Sequence, residues 1–117
     1  MRLGGGIYFA ENSSKSDEYI MPDAEGNCFI FLGRVLLGTP HVALTSMTGT
    51  RLPPFLPNTN STRRADSVLA ECARSPGFEN AKLKRYREFV VYDSNVCYPE
   101  FLVTFKRVDN VNPAADA

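Results

Sequence analysis

The feature that most constrains the fold is a short aromatic run that leads directly into a polar segment suited to starting a helix. Residues Ile7 to Ala10 read Ile-Tyr-Phe-Ala and follow the three glycines Gly4 to Gly6, so a strand is predicted to begin after a turn. Asn12 and the two serines after it are good N-cap residues, and acidic residues in the first turns suit the positive end of a helix dipole. The pattern therefore predicts a strand followed at once by a short helix that ends before Pro22.

Three further apolar segments are predicted to complete a sheet. Cys28 to Leu37 is almost continuously apolar, which indicates a central strand covered on both faces that forms the core. Glu88 to Tyr92 and Phe101 to Lys106 alternate, and the polar residues 93–95 lie between them, so we expect these two strands to pair with each other. The predicted fold class is α+β, with a mostly antiparallel sheet and one short helix after the first strand.

The rest of the chain is predicted to be loop and tail around a single domain. From Thr45 to Ala81 the sequence is rich in Pro, Thr and Asn, which indicates a long exposed loop in which Ser67 to Glu71 forms a short strand or a turn. A chain of 117 residues fits one domain, which we place at residues 1–108. Residues 109–117 have little to bury and are predicted to be a flexible tail.

Composition gives no sign of a charged partner, a metal or a membrane. The chain has 13 basic and 13 acidic side chains, so net charge gives no reason to expect binding to nucleic acid or to a membrane surface. The three cysteines are widely spaced and form no Cys-x-x-Cys pair, which indicates reduced thiols and no zinc site. No apolar stretch approaches the ~20 residues of a membrane span. We expect an intracellular protein, nuclear or cytoplasmic.

Polar and aromatic side chains converge on the predicted helix. Ser16 and Tyr19 are three residues apart, and Lys15 and Tyr19 are four apart, so their polar groups project to neighbouring positions on one helix face. With Tyr8 on the preceding strand, this junction is suited to holding a flat ring. Taken without further information, however, both tyrosines also fit packing roles, Ser16 fits an ordinary helix-start serine, and Glu88 fits a solvated charge at a strand start.

Three collinear motifs resemble the catalytic domain of the poly(ADP-ribose) polymerase family. They are Gly5 to Tyr19, Arg87 to Asp93 and Tyr98 to Phe105, with weaker matches at Leu32 to Gly38 and Asp66 to Val68. The resemblance implies an ADP-ribosyltransferase-type fold and an enzyme that transfers ADP-ribose from NAD to protein or ADP-ribose acceptors and releases nicotinamide. It implies NAD as co-substrate and no metal.

The same resemblance assigns the catalytic residues. Tyr8 matches the tyrosine of the family's His-Tyr-Glu triad, and Glu88 matches the glutamate. The glutamate would hold the 2′-hydroxyl of the nicotinamide ribose and stabilise the positive charge that develops on the sugar when the bond to nicotinamide breaks. A glutamate at this position permits polymer formation without requiring it.

The remaining matched residues would hold the leaving group. Tyr19 matches the tyrosine that stacks on nicotinamide, and Ser16 matches the serine that bonds its carboxamide. Ala10 would be the small residue that lets the ring lie close, and Lys15 the lysine that lines the site. His41, the sole histidine, has no matched position and is interpreted as a surface-loop residue.

The extent of the resemblance leaves two other functions open. The family's His-Gly motif lies upstream of the Gly-Ile-Tyr strand, so the resemblance implies that this chain corresponds to the C-terminal part of the catalytic domain. We therefore also consider a non-catalytic module that binds NAD or ADP-ribose, and an interaction domain that uses the loop from Thr45 to Ala81. Uncovered sheet edges and apolar surface would favour self-association. Arginines 51, 63 and 64 are interpreted as solvated loop residues, with contacts to an acceptor protein or to NAD phosphates as the alternative.

Overall fold

Residues 2–108 fold into six strands and one short helix. A computed structural model describes residues 2–108, so the predicted tail at 109–117 lies outside the described residues. In chain order the elements are β1 (Ile7–Ala10), α1 (Ser13–Asp17), β2 (Asn27–Val35), β3 (Pro40–Val42), β4 (Ser67–Ala70), β5 (Glu88–Val91), a 3₁₀ turn (Ser94–Val96) and β6 (Cys97–Lys106). The predicted α+β class with a short helix after the first strand is confirmed. Within residues 2–108, no helix is long and apolar enough to cross a membrane.

Four strands form the main sheet in the order β1-β5-β4-β3. The β1–β5 and β5–β4 pairs are antiparallel, and β3 and β4 are parallel. All four residues of β4 are buried, because this strand is paired on both sides. Of the two alternatives predicted for Ser67 to Glu71, a short strand or a turn, the strand is correct over Ser67–Ala70.

The core lies against this sheet and is small. Its buried residues are brought together from the N-terminal segment, the stretch after β3, and strands β4 and β5: Leu3, Ala43, Val68, Ala70 and Val90. Tyr92 packs against this cluster and its hydroxyl donates a hydrogen bond to the backbone carbonyl of Leu3. Burial, with the nearby Tyr8, raises the pKa of the Tyr92 phenol, so the hydroxyl stays protonated and remains a donor.

Strands β2 and β6 form a separate two-stranded ribbon. The prediction that Cys28 to Leu37 is a central strand forming the core is wrong, because within residues 2–108 β2 pairs with β6 alone. Cys28 is fully buried, but Phe31 is 65% exposed and Leu32 is 59% exposed. The apolar composition correctly indicated a strand, but it did not indicate how much of that strand other elements would cover.

The predicted pairing of the last two strands is also wrong. The polar segment after β5 is a 3₁₀ turn whose N-cap, Asp93, accepts a hydrogen bond from the backbone N–H of Asn95 at 2.9 Å. The turn leads the chain out of the main sheet, so β5 pairs with β1 and β4 while β6 pairs with β2. The register shifts where Leu32 and Gly33 of β2 face Phe101 and Pro99 of β6, which leaves Glu100 as the extra residue of a β-bulge in β6.

Candidate active site

The pairing of β1 with β5 brings the predicted catalytic residues together. In this antiparallel pair Ala10 is directly opposite Glu88, and Tyr8 is opposite Val90. Residues opposite each other share a face of the sheet, and alternate residues of a strand do the same. Tyr8, Ala10 and Glu88 therefore lie on one face, the face that also carries buried Val90.

Helix α1 begins directly beyond the end of β1 because Asn12 caps it. Asn12 has extended backbone angles, and its side-chain oxygen accepts a hydrogen bond from the N–H of Ser14 at 2.9 Å. The helix ends at Asp17, but the turn continues, since the N–H of Tyr19 donates to the carbonyl of Ser16 at 3.1 Å. Tyr19 is thus placed by a turn after the helix rather than by the helix itself, and it remains tied to Ser16.

Lys15 links helix α1 to strand β5. Its ammonium lies 3.2 Å from the Glu18 carboxylate and 3.8 Å from the Glu88 carboxylate. The hydrogen bond with Glu18 raises the pKa of Lys15 despite partial burial, and the charges of Glu18 and Glu88 add to the effect. Lys15 therefore stays protonated beside Glu88, whose side chain is only 13% exposed.

All six residues predicted for the site line one open cleft with a volume of about 1120 Å³: Tyr8, Ala10, Lys15, Ser16, Tyr19 and Glu88. Small-molecule sites usually measure about 300–1,000 Å³, so this cleft has room for a ligand larger than a single ring system. Tyr8 presents its ring rather than its hydroxyl, because the hydroxyl donates to the Gly4 carbonyl and accepts from the Leu3 N–H.

A second part of the cleft wall is made by residues outside the six predicted for the site, and only Arg51 among them had a ligand contact as a predicted alternative. It comes from the loop at Thr48 to Arg51, together with Arg2, Gly4 and Gly5. The loop is held in place by a 2.7 Å hydrogen bond from the N–H of Gly5 to the carbonyl of Thr50. No local sequence signal marks this contact, because the two segments are far apart in the chain.

The three loop arginines have different surroundings. Arg63 lies 3.4 Å from the Asp66 carboxylate, and Arg64 stacks over the Phe55 ring, 4.1 Å from its centroid, and donates to the Pro53 carbonyl. Arg51 lines the cleft. Of these three arginines, only Arg51 is therefore placed to meet a ligand bound there.

His41 is not part of this site. It lies in β3 and is half-buried, so its interpretation as a surface-loop histidine is wrong. Strand β3 is at the edge of the sheet opposite β1, and His41 does not line the cleft. Among residues 2–108 there is no group of three or more His, Cys, Asp or Glu side chains placed to hold a metal.

Two ion pairs support the cleft from outside. Arg87 binds Glu11 through its backbone N–H at 2.9 Å and through its guanidinium at 2.8 and 2.9 Å, which joins the end of β1 to the start of β5. Arg107, which follows β6, binds the Asp17 carboxylate at 3.0 Å. Neither pair could be predicted from local sequence, since the residues of each pair are widely separated.

Together, the fold and the cleft define a class of protein that can hold an aromatic ring while charge develops next to it. A mostly antiparallel sheet presents a shielded carboxylate in one cleft with two tyrosines, a serine and a lysine.

Comparison with known families makes the assignment specific. The family model described as the poly(ADP-ribose) polymerase catalytic domain matches residues 1–107. The chain belongs to this family, and the ADP-ribosyltransferase-type fold predicted from the sequence is confirmed. Family membership associates the chain with ADP-ribosyl transfer and with NAD as co-substrate.

Proposed function

We propose that this protein transfers ADP-ribose from NAD to a protein side chain or to a growing ADP-ribose chain, with release of nicotinamide. The observation that carries the proposal is the position of Glu88. Its carboxylate is largely shielded, lies opposite Ala10 and shares a sheet face with Tyr8. A shielded anion stabilises nearby positive charge more strongly than a solvated one, because less water screens it.

The reaction requires such an anion next to a leaving-group site. The bond between the ribose C1′ and the nicotinamide nitrogen breaks, and its electron pair leaves with nicotinamide, so positive charge develops on the sugar. An acceptor oxygen or nitrogen then bonds to C1′ and loses its proton. Glu88 would stabilise the charge on the sugar and hold its 2′-hydroxyl, as glycoside-cleaving enzymes use carboxylates for the same purpose.

The other cleft residues fit two parts of NAD, the nicotinamide and the diphosphate. Tyr8 and Tyr19 supply aromatic surfaces for the nicotinamide ring, each stacking contact contributing about 1 kcal/mol beyond area burial, and Ser16 supplies a hydroxyl for the carboxamide. Ala10 leaves room for the ring, and Lys15 lines the same wall. Arg2 and Arg51 form no ion pair within residues 2–108, which leaves their charges available for the diphosphate.

The test compares the protein with its Glu88→Gln variant. Each is incubated with labelled NAD, and both nicotinamide release and label on protein are followed. We expect Glu88→Gln to lower turnover roughly 100-fold or more, since it removes one preorganised charge partner of the transition state. Glu18→Gln is the matched control, because Glu18 also contacts Lys15 but is 62% exposed and does not line the cleft.

The same experiment separates the other functional classes. Saturable NAD binding without turnover would replace the enzyme assignment with that of a non-catalytic binding module. If NAD does not bind at all, the protein would instead be assigned as an interaction domain. Equal loss of activity in the Glu88 and Glu18 variants would contradict the specific role of Glu88.

A further inference from the structure

Arg107 makes several contacts with the segment that carries Ser16 and Tyr19, the residues proposed to hold nicotinamide. Its Nε lies 3.1 and 3.3 Å from the two carboxylate oxygens of Asp17. Its Nη2 donates to the backbone carbonyl of Asp17 at 2.9 Å and to that of Ile20 at 2.8 Å. One guanidinium therefore binds a carboxylate and two carbonyls of the same turn.

The two carbonyls lie at the end of helix α1 and just beyond it. The Asp17 carbonyl accepts a hydrogen bond from the Ile20 N–H at 3.1 Å, and Arg107 is a second donor to it. A five-residue helix such as α1 is far too short to be stable by itself. A planar cationic fork at this end satisfies the carbonyls and suits the negative end of the helix dipole. Since the Arg107 and Asp17 side chains are 42% and 38% exposed, the charge attraction alone contributes little, and the geometry is the larger effect.

The two bound carbonyls bracket Tyr19. Its side chain is 78% exposed, so packing does little to fix the direction of the ring. The ring is aimed by its backbone, whose N–H bonds to Ser16, while the N–H of the next residue, Ile20, bonds to the Asp17 carbonyl at 3.1 Å. Arg107 holds both ends of this turn.

We propose that Arg107 is a positioning residue for NAD: it fixes the turn from Asp17 to Ile20 so that Ser16 and Tyr19 face the cleft. This inference rests on the proposed function. Arg107 does not line the cleft, so it acts through the turn and not by touching the ligand. Because Arg107 belongs to the β2–β6 ribbon side of the molecule, it also ties that ribbon to the site.

The experiment compares Arg107→Ala, Arg107→Lys and Asp17→Asn with the unaltered protein. We expect Arg107→Ala to raise the KM for NAD and the Kd for benzamide, a nicotinamide-like probe, by roughly fivefold, the equivalent of one aromatic stacking contact, with a smaller change in kcat. The KM and Kd of Arg107→Lys should lie between those of Arg107→Ala and the unaltered protein, since one ammonium cannot hold both carbonyls and the carboxylate. Asp17→Asn should change binding least, because it leaves both carbonyl contacts intact.

Arg34→Ala is the matched control. Arg34 also forms an ion pair on the ribbon, with Glu100, but this pair does not touch α1. Its removal should therefore leave the KM for NAD unchanged. A KM for the Arg107→Ala variant equal to that of Arg34→Ala would overturn the inference.

A readout that needs no NAD separates this inference from the proposed function. Amide hydrogen exchange at Ile20 should be faster in Arg107→Ala than in the unaltered protein, because the turn is released. Unchanged exchange would overturn the inference even if the enzyme is active. If the unaltered protein neither binds benzamide nor turns over NAD, the proposed function fails, whereas faster exchange would still show that Arg107 holds the turn. Should Arg107→Ala fail to fold, Arg107→Lys takes its place, and an unaltered Kd in that variant is the contrary result.

Discussion

Replacing Gly6 by alanine should destabilise the protein, whereas the same change at Gly5 should not. A Cβ atom on Gly6 would lie 2.4 Å from Val90 Cγ1 and 2.8 Å from the carbonyl oxygen of Val91. A Cβ atom on Gly5 would meet only the Thr50 carbonyl oxygen, at 3.9 Å. Val90 and Val91 are fully buried, so they cannot move away from Gly6 without disturbing the junction of β1 and β5.

The size of the effect follows from the cost of overpacking. Forcing extra atoms into a well-packed core costs about 1–3 kcal/mol, and in a domain of this length each 1 kcal/mol lowers Tm by about 4 °C. Gly6→Ala should therefore lower Tm by roughly 4–12 °C. Gly5→Ala should be neutral or should stabilise by about 0.4–1 kcal/mol, because alanine restricts the unfolded chain more than glycine does.

Thermal unfolding followed by circular dichroism would measure both variants beside the unaltered protein. All three should be compared at the same protein concentrations, since association of the folded form would shift Tm. Equal Tm values for Gly6→Ala and the unaltered protein would refute the steric argument. Equal destabilisation at Gly5 and Gly6 would also refute it, since only Gly6 meets the β5 backbone.

Two further predictions concern stability and association. Partial burial raises the pKa of the Glu11 carboxyl, but the hydrogen bonds and charge of Arg87 outweigh it and hold that pKa below its ordinary value of 4.5. Glu11 thus stabilises the fold above about pH 4.5 and loses that contribution as pH falls through its folded-state pKa. In the Glu11→Gln variant, the free energy of unfolding measured by urea titration should therefore change less with pH between about pH 5 and pH 3. An unchanged pH dependence would contradict this. Self-association stays a prediction. Phe31 and Phe101 are 65% and 61% exposed, on opposite faces of the ribbon, so the protein should elute from a size-exclusion column as larger species when its concentration is raised. A double variant, Phe31→Ser with Phe101→Ser, should show a smaller shift. A monomer at every concentration would count against it.

Local chemistry made part of the fold predictable. The strand at Ile7–Ala10 and the cap at Asn12 depend on residues adjacent in sequence, and both are present. Strand pairing was not predictable in the same way. Nearness in sequence suggested that β5 and β6 would form a hairpin. Strand pairing also depends on which faces become buried, and β5 pairs with β1 and β4 instead.

The site was predictable to the extent that it resembled a known pattern. The six predicted site residues were identified by their match to the family's motifs, and the structure places all of them around one cleft. Their individual roles stay predictions. Spacing alone favoured packing roles for Tyr8 and Tyr19. The wall at Thr48 to Arg51 and the supports at Arg87 and Arg107 depend on contacts between distant segments, which no local pattern encodes.

The pairing of β1 with β5 has a consequence for how the protein is made. Tyr92, next to β5, bonds to Leu3, 89 residues earlier, and Arg87 bonds to Glu11, 76 residues earlier. Ribosomes add about 5–20 residues each second, so the nascent N-terminal strand waits several seconds for its neighbour to be synthesised. A topology with such distant partners also closes slowly after release, and during that interval the exposed aromatic segments favour aggregation.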